Sequence, residues 1–311
     1  MTSKPRSQID FMRWRTFGLV LSTLINIAAI GSLFLHGLNL SIEFTGGAVV
    51  ELAYEQPADL EAIREILKTS DFGGGVVQNF GGANNVLLRL PPSDNVAGAD
   101  AASADYGARL TKLLPDAQVR RVEFVGPQVG DELADDAVIA FLVAMGGILL
   151  YVMMRFTFKF AVGAIVATVH DVLVIIGFFS LSRMEFDLTA LAAVLAILGY
   201  SLNDTIVVFD RIRENFRSVR KSVPIDIMNL SLNQTLSRTI NTHVVTSLSV
   251  VALYFLGGEL IRSFSTALLL GIVVGTYSSI YVASATVLAL GARRQDLLPI
   301  PKEGAEADNR P

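Results

Sequence analysis

Six apolar stretches, each long enough to cross a lipid bilayer as a helix, restrict this chain to a multi-pass membrane fold. A bilayer core about 30 Å thick needs roughly 20 apolar residues in helical form. Phe17–Leu35, Asp136–Met154, Phe160–Leu181, Leu188–Phe209, Thr242–Leu256 and Phe264–Leu290 are the stretches concerned. The composition agrees, with 52% hydrophobic and only 17% charged residues, where a soluble domain carries about 25% charged. The chain has no cysteine, which excludes disulfides, Cys-ligated zinc and iron–sulfur clusters.

Lys and Arg set the orientation. Placing the N-terminus in the cytoplasm puts Lys4, Arg6, Arg13, Arg15, Arg155, Lys159, Arg211, Arg213, Arg217, Arg220, Lys221, Arg238, Arg293, Arg294, Lys302 and Arg310 on that side. The short outer loops then hold only Arg183 and Arg262. Residues 1–16 are a cytoplasmic start and 292–311 a disordered cytoplasmic tail. The first span, 17–36, has a basic start and a weak cleavage-like Ala29-Ile30-Gly31, but its apolar run continues through Leu35. It reads as an uncleaved anchor.

Residues 37–134 form an outer domain with the order β-α-β-β-α-β, the ferredoxin-like α+β pattern. Val49–Tyr54, Val76–Phe80, Val86–Leu90 and Ala117–Val125 read as strands, and Pro57–Thr69 and Ala99–Leu114 as helices. Leu60, Ile63, Ile66 and Leu67 share one helical face. Such a domain either touches a substrate or partner, or only braces the spans. Residues 135–291 hold the other five spans. Within them, 211–235 is basic and then amphipathic. Pro224 splits it, and Ile225, Met228 and Leu232 suggest a helix on the membrane surface, with a solvated loop as the alternative.

Ionisable groups inside a bilayer are expensive and mark ion paths. Asp204, beside Asn203 in the fourth span, lies roughly 7–8 Å inside the cytoplasmic edge. Desolvation raises the pKa of such a carboxylate and a nearby cation lowers it, which suits a proton relay; a static hydrogen-bonded acid is the alternative. In the fifth span Val244–Leu256 is too short to cross, so the helix extends back and draws Arg238 to a similar depth. Gln234, Arg238, Asn241, Thr242, Val245 and Ser249 share a stripe. An arginine there needs an acid, and Asp204 is the candidate; a snorkelling arginine is the alternative. His170-Asp171 in the third span extend a proton wire or lock helices together. His243 adds a polar group on the fifth span. Gly271 and Gly275 form a small-xxx-small helix-packing motif, and Ser278, Ser279 and Gly163 read the same way. Three histidines without His-x-x-x-His or Glu-x-x-His spacing give no metal site. No cofactor motif is present. The Walker loop, His-Glu-x-x-His and Gly-x-Ser-x-Gly are missing from the sequence, so no enzymatic activity is expected.

Several stretches together resemble one family. They are Ile42-Glu43-Phe44-Thr45-Gly46-Gly47, Val125-Gly126-Pro127-Gln128-Val129-Gly130, Val169-His170-Asp171, the run from Gly199 to Asn215, and Leu232–Thr239. The chain is similar to the SecD/SecF family of protein-export membrane proteins, on its SecF side. The resemblance implies six helices of the RND type and a proton-driven role in late, ATP-independent protein translocation. It implies SecD and the SecYEG channel as partners, with YajC and YidC as further candidates, and exported unfolded polypeptide and membrane lipid as contacts, without nucleic acid. It carries the proton path onto Asp204 and Arg238. Related sequences can have a second acid where Asn203 stands. The chain shows one half only, so SecD must supply the other intramembrane carboxylate. An assembly scaffold, or half of an RND pump for lipids or small molecules, are the competing readings; the pump would carry larger, duplicated outer segments.

Overall fold

The computed structural model describes residues 9–92, 99–219 and 222–293. Lys4, Arg6, Arg220, Lys221 and the tail from Arg294 lie outside the described residues. Six long apolar helices run through Phe11–His36, Pro127–Arg155, Phe158–Ser182, Leu188–Ser218, Pro224–Leu256 and Arg262–Ala289. The third, fourth and sixth are the most heavily buried; the first, second and fifth stand around them. The sixth is interrupted by one π-helical turn, Ser279–Ala283.

Strand β1 (Asn39–Leu40) follows the first span and strand β2 is Gly47–Tyr54. Helix α1 (Leu60–Lys68), strands β3 (Val76–Asn79) and β4 (Asn85–Leu90), helix α2 (Ala99–Leu113) and strand β5 (Ala117–Val125) complete the outer domain. The four-stranded antiparallel sheet has the order β3-β4-β2-β5, which is the ferredoxin-like arrangement expected from the sequence. Val50, Leu52, Leu88, Ile63, Leu67 and Tyr106 fill its core. Val122 and Val119 are three apart yet face Val50 and Leu52, because a bulge at Glu51/Leu52 shifts the register.

The domain is tied to the bundle at its base. β1 pairs in parallel with β6 (Glu185–Phe186), in the loop between the third and fourth spans. Arg89 on β4 forms an ion pair with Glu185. Burial lifts the Glu185 carboxyl above its ordinary range and Arg89 pulls against that. A falling pH therefore protonates Glu185 earlier than an exposed glutamate. Gly46 and Gly47 have φ of 69° and 123°, a region that suits glycine. A side chain on Gly130 would lie 2.7 Å from the Gly46 nitrogen, so the two glycine-rich stretches pack backbone against backbone.

The surface-helix reading of 211–235 is corrected. Pro224 begins the fifth-span helix instead of splitting a separate one, as a proline in the first helical turn can. Ile227, Met228 and Leu232 are buried against Phe11 and Met12. Asn229 and Asn233 accept bonds from the Met12 and Ile9 amides, each at 2.9 Å, so the N-terminal segment packs on this face of the helix.

Candidate functional site

Asp204 is the seventeenth residue of a 31-residue helix, the fourth span, and is 5% exposed. Its Oδ2 is in close contact with Nε2 of His243 on the fifth span. The other ring nitrogen, Nδ1, bonds Thr276 Oγ1 on the sixth. Thr276 also donates to the Ile272 carbonyl at 2.7 Å. One turn before Asp204, Tyr200 lays its ring over His243 at 5.3 Å, and its hydroxyl bonds Thr246 at 3.0 Å. A carboxylate, an imidazole and a hydroxyl of three helices thus meet inside the apolar bundle; His243 and Thr276 are hydrogen-bonded, while Asp204 Oδ2 and His243 Nε2 touch without a hydrogen-bonding geometry. An imidazole accepts a proton on one nitrogen while the other holds its orienting bond.

The backbone makes this possible. A side chain on Gly271 would lie 2.3 Å from Ile197 Cδ1, and one on Gly275 3.0 Å from Ser201. Their absence lets the fourth and sixth spans close to contact distance; from the sixth, Thr276 meets His243 of the fifth span and Ser278 meets Asp171 of the third.

Arg238 is placed differently from the sequence reading. It is exposed and makes no ion pair with Asp204. The buried stripe of the fifth span is Met228, Leu232, Thr235, Thr239, His243 and Val250. Gln234, Arg238, Asn241, Thr242, Val245 and Ser249 all face outward, as does Asn203 on the fourth span. At about 100° per residue, Arg238 and His243 stand some 140° apart around the helix, so both cannot face the same acid. Gln234 is held by Arg211 at 2.6 Å and Asn215 at 2.8 Å.

His170 and Asp171 part company. His170 Nδ1 bonds Asn26 on the first span at 3.0 Å. Asp171 is 1% exposed and takes Ser201 and Ser278 as donors. At the cytoplasmic exit Asp210 pairs with Arg155 at 2.8 Å and with Arg213 at 3.5 Å.

The sequence reading missed Thr276, Tyr200 and Glu43 as working residues. Glu43 lies in the glycine-rich stretch after the first span. Its Oε2 accepts from the Leu188 amide at 2.7 Å, at the N-terminus of the helix that carries Asp204. A carboxylate there satisfies an orphan N–H and complements the helix dipole. Asp187 caps the same turn through the Ala190 amide at 2.6 Å. The outer domain and the fourth span are therefore bonded at one point. Glu43→Gln is expected to cost about 1–2 kcal/mol, the difference between a charged and a neutral acceptor. Thermal unfolding of the detergent-solubilised protein reads this; an unchanged midpoint removes Glu43 from the link.

The family model described as "Protein export membrane protein SecD/SecF, C-terminal" matches residues 105–293, and the "SecD/SecF GG Motif" matches residues 31–58. The chain is 50% identical over 310 residues to the protein translocase subunit SecF of Vibrio alginolyticus, covering 99% of this chain and 98% of that one. It is 47% identical over 303 residues to the protein of the same name from Pseudomonas aeruginosa, covering 97% and 98%. The crystal structure of SecDF from Thermus thermophilus, titled a translocon-associated membrane protein, superposes with a TM-score of 0.82 at 41% identity. That match covers 92% of this chain and 39% of the SecDF chain. A second SecDF structure, in the "Super-membrane-facing form", gives 0.68 over 93% and 40%. The chain thus spans about two fifths of the solved SecDF chains.

Proposed function

The chain belongs to the SecD/SecF family of protein-export membrane proteins, and from that premise we propose that it is one half of a two-half, proton-driven export machine. It is a multi-pass protein of the bacterial inner membrane with a periplasmic domain. The other half is of the SecD type, and the machine works beside the SecYEG channel on polypeptide in late, ATP-independent translocation. YajC and YidC are further candidate partners. The buried Asp204–His243–Thr276 link carries this reading.

A proton arriving on Asp204 removes the negative charge that holds the imidazole. The fourth, fifth and sixth spans then lose one shared contact and favour another packing. Glu43 and the β1–β6 pairing pass a shift of the fourth span to the periplasmic domain. The membrane potential contributes about 2.3 kcal/mol per charge per 100 mV, enough to bias such an equilibrium tens-fold.

Arg238 and its neighbours support a two-half assembly. A cation facing lipid at membrane depth is costly, and Asn241 on the same helix and Asn203 on the fourth span are exposed as well. A partner bundle bearing its own carboxylate would cover this polar face. Arg238→Gln is expected to lower co-purification of the partner half several-fold; undiminished recovery would exclude Arg238 from the interface. The whole reading is tested in inverted vesicles, by following completion of translocation after ATP is withdrawn. The fraction that depends on this chain must disappear with a protonophore. A scaffold would keep that fraction, and such a result would overturn the proposal.

A further inference from the structure

Asp171, in the third span, lies outside the Asp204–His243–Thr276 link, yet it is the more enclosed acid. It is 1% exposed. Its Oδ2 accepts from Ser201 on the fourth span and from Ser278 on the sixth, the latter at 2.9 Å. Its Oδ1 is buried and meets no donor among the described residues. Both donors are neutral hydroxyls. Among the described residues Asp171 forms no ion pair with Lys, Arg or His, as its bonds go to serines alone. A charge in this position would have half of its carboxylate unsolvated. One proton on Oδ1 removes the charge and leaves both serine bonds on Oδ2 in place.

We propose that Asp171 is a second proton-binding site, coupled to the Asp204–His243 pair through the two helices that the sites share. On the fourth span Ser201 and Asp204 are three residues apart, roughly 4.5 Å along the axis. On the sixth, Thr276 serves His243 and Ser278 serves Asp171. Gly275 holds these helices in backbone-close contact at Ser201. The π-helical turn starts at the residue after Ser278. There the Ser284 hydroxyl donates to the Ser279 carbonyl at 2.8 Å. A wider turn of this kind can relax to α-helix and rotate what precedes it, which would carry Ser278 away from Asp171 and Thr276 away from His243 together.

The titratable groups around Asp171 leave it to respond to this geometry. His170, its own neighbour, is turned to Asn26. Tyr277 of the sixth span donates to the Gly18 carbonyl and accepts from Ser22 on the first. On the fourth span the ionisable groups flanking Ser201 are Tyr200, whose hydroxyl bonds Thr246 of the fifth span, and Asp204, which is in contact with His243 of the fifth span. The second span brings Phe141, Met145 and Ile148 to this part of the bundle, all apolar.

This inference rests on the proton-relay reading for its consequence, but proton binding at Asp171 stands or falls separately. Infrared difference spectroscopy on the lipid-reconstituted complex with its partner half reads neutral carboxylic acids by their carbonyl stretch. One such band should be lost in Asp171→Asn and kept in Asp204→Asn. It should titrate away as pH rises, with a midpoint that Asp204→Asn displaces. An unaltered spectrum in Asp171→Asn means a permanently ionised group, and a band that never titrates means a fixed structural acid; either overturns the proposal. Should Asp171→Asn not fold, Ser278→Ala decides. Losing a donor to the charged form must raise the midpoint, and an unmoved midpoint refutes the site. If the band behaves as expected while Asp204→Asn still exports in a gradient-dependent way, the relay reading fails and the Asp171 site remains.

Discussion

Asp204→Asn is expected to abolish the gradient-driven part of export and to leave the folded assembly in place. Asparagine matches aspartate in shape but cannot take up or release a proton at neutral pH. It still offers His243 Nε2 an oxygen or an amide, so the packing of the fourth span on the fifth survives. The loss therefore falls on coupling. The gradient term, about 2.3 kcal/mol per charge per 100 mV before any pH difference is added, has no group at this position on which to act. In inverted vesicles, completion of translocation in the Asp204→Asn variant should match the wild type treated with a protonophore. Co-purification of the partner half should be unchanged. Vesicles of the variant that retain full sensitivity to the gradient would remove Asp204 from the ion path. His243→Gln separates the two members of the pair: it keeps a hydrogen-bonding side chain on the fifth span but loses the titratable ring, and a partial loss is expected.

The spans were legible because the bilayer imposes one simple demand, an apolar run of sufficient length. The outer domain was legible for a different reason. Its strands and helices are bounded by turn residues such as Asp71–Gly75 and Gly81–Asn85, and its apolar positions follow the two helical and strand periods. Even the irregular spacing of Val119 and Val122 needed only a bulge. The site was half legible. Asp204 is conspicuous because a carboxylate inside an apolar helix is costly, and that argument holds for any arrangement of the other helices. Its partner was not, since cost alone does not say which way a second polar residue faces. Arg238 and His243 lie on the same helix at comparable depth, and the fifth span has two polar faces. One, through Thr235, Thr239 and His243, turns inward. The other, through Arg238, Asn241 and Thr242, turns outward. In a bundle that stands alone an outward polar face would be forbidden, and the sequence reading chose accordingly. In half of a larger bundle both faces have an occupant. Glu43 was overlooked for a related reason: the glycines around it draw attention to the turn, while its bond to the Leu188 amide spans 145 positions of sequence.

Gly177→Ala is expected to cause the largest loss of stability of any single-methyl change in the bundle. The added carbon would stand 2.3 Å from the Ala29 Cβ and 2.7 Å from its Cα. The obstacle is the main chain of the first span, so no rotamer change relieves it, and the first and third spans must separate. Their other links depend on that approach. Ser32 and Ser180 share a buried hydrogen bond of 2.8 Å, and Asn26 meets His170 at 3.0 Å. Overpacking of this kind costs about 1–3 kcal/mol, to which strain in the buried Ser32–Ser180 bond and the part-buried Asn26–His170 bond is added. The better helix propensity of alanine over glycine, about 1 kcal/mol, offsets only part. Gly199→Ala supplies the control, because a methyl there meets nothing within 4 Å and only the propensity term acts. The monodisperse fraction surviving heating in detergent should fall for Gly177→Ala and hold or rise for Gly199→Ala. Equal behaviour of the two variants would mean that the first span is not seated on the third as the Gly177–Ala29 contact requires.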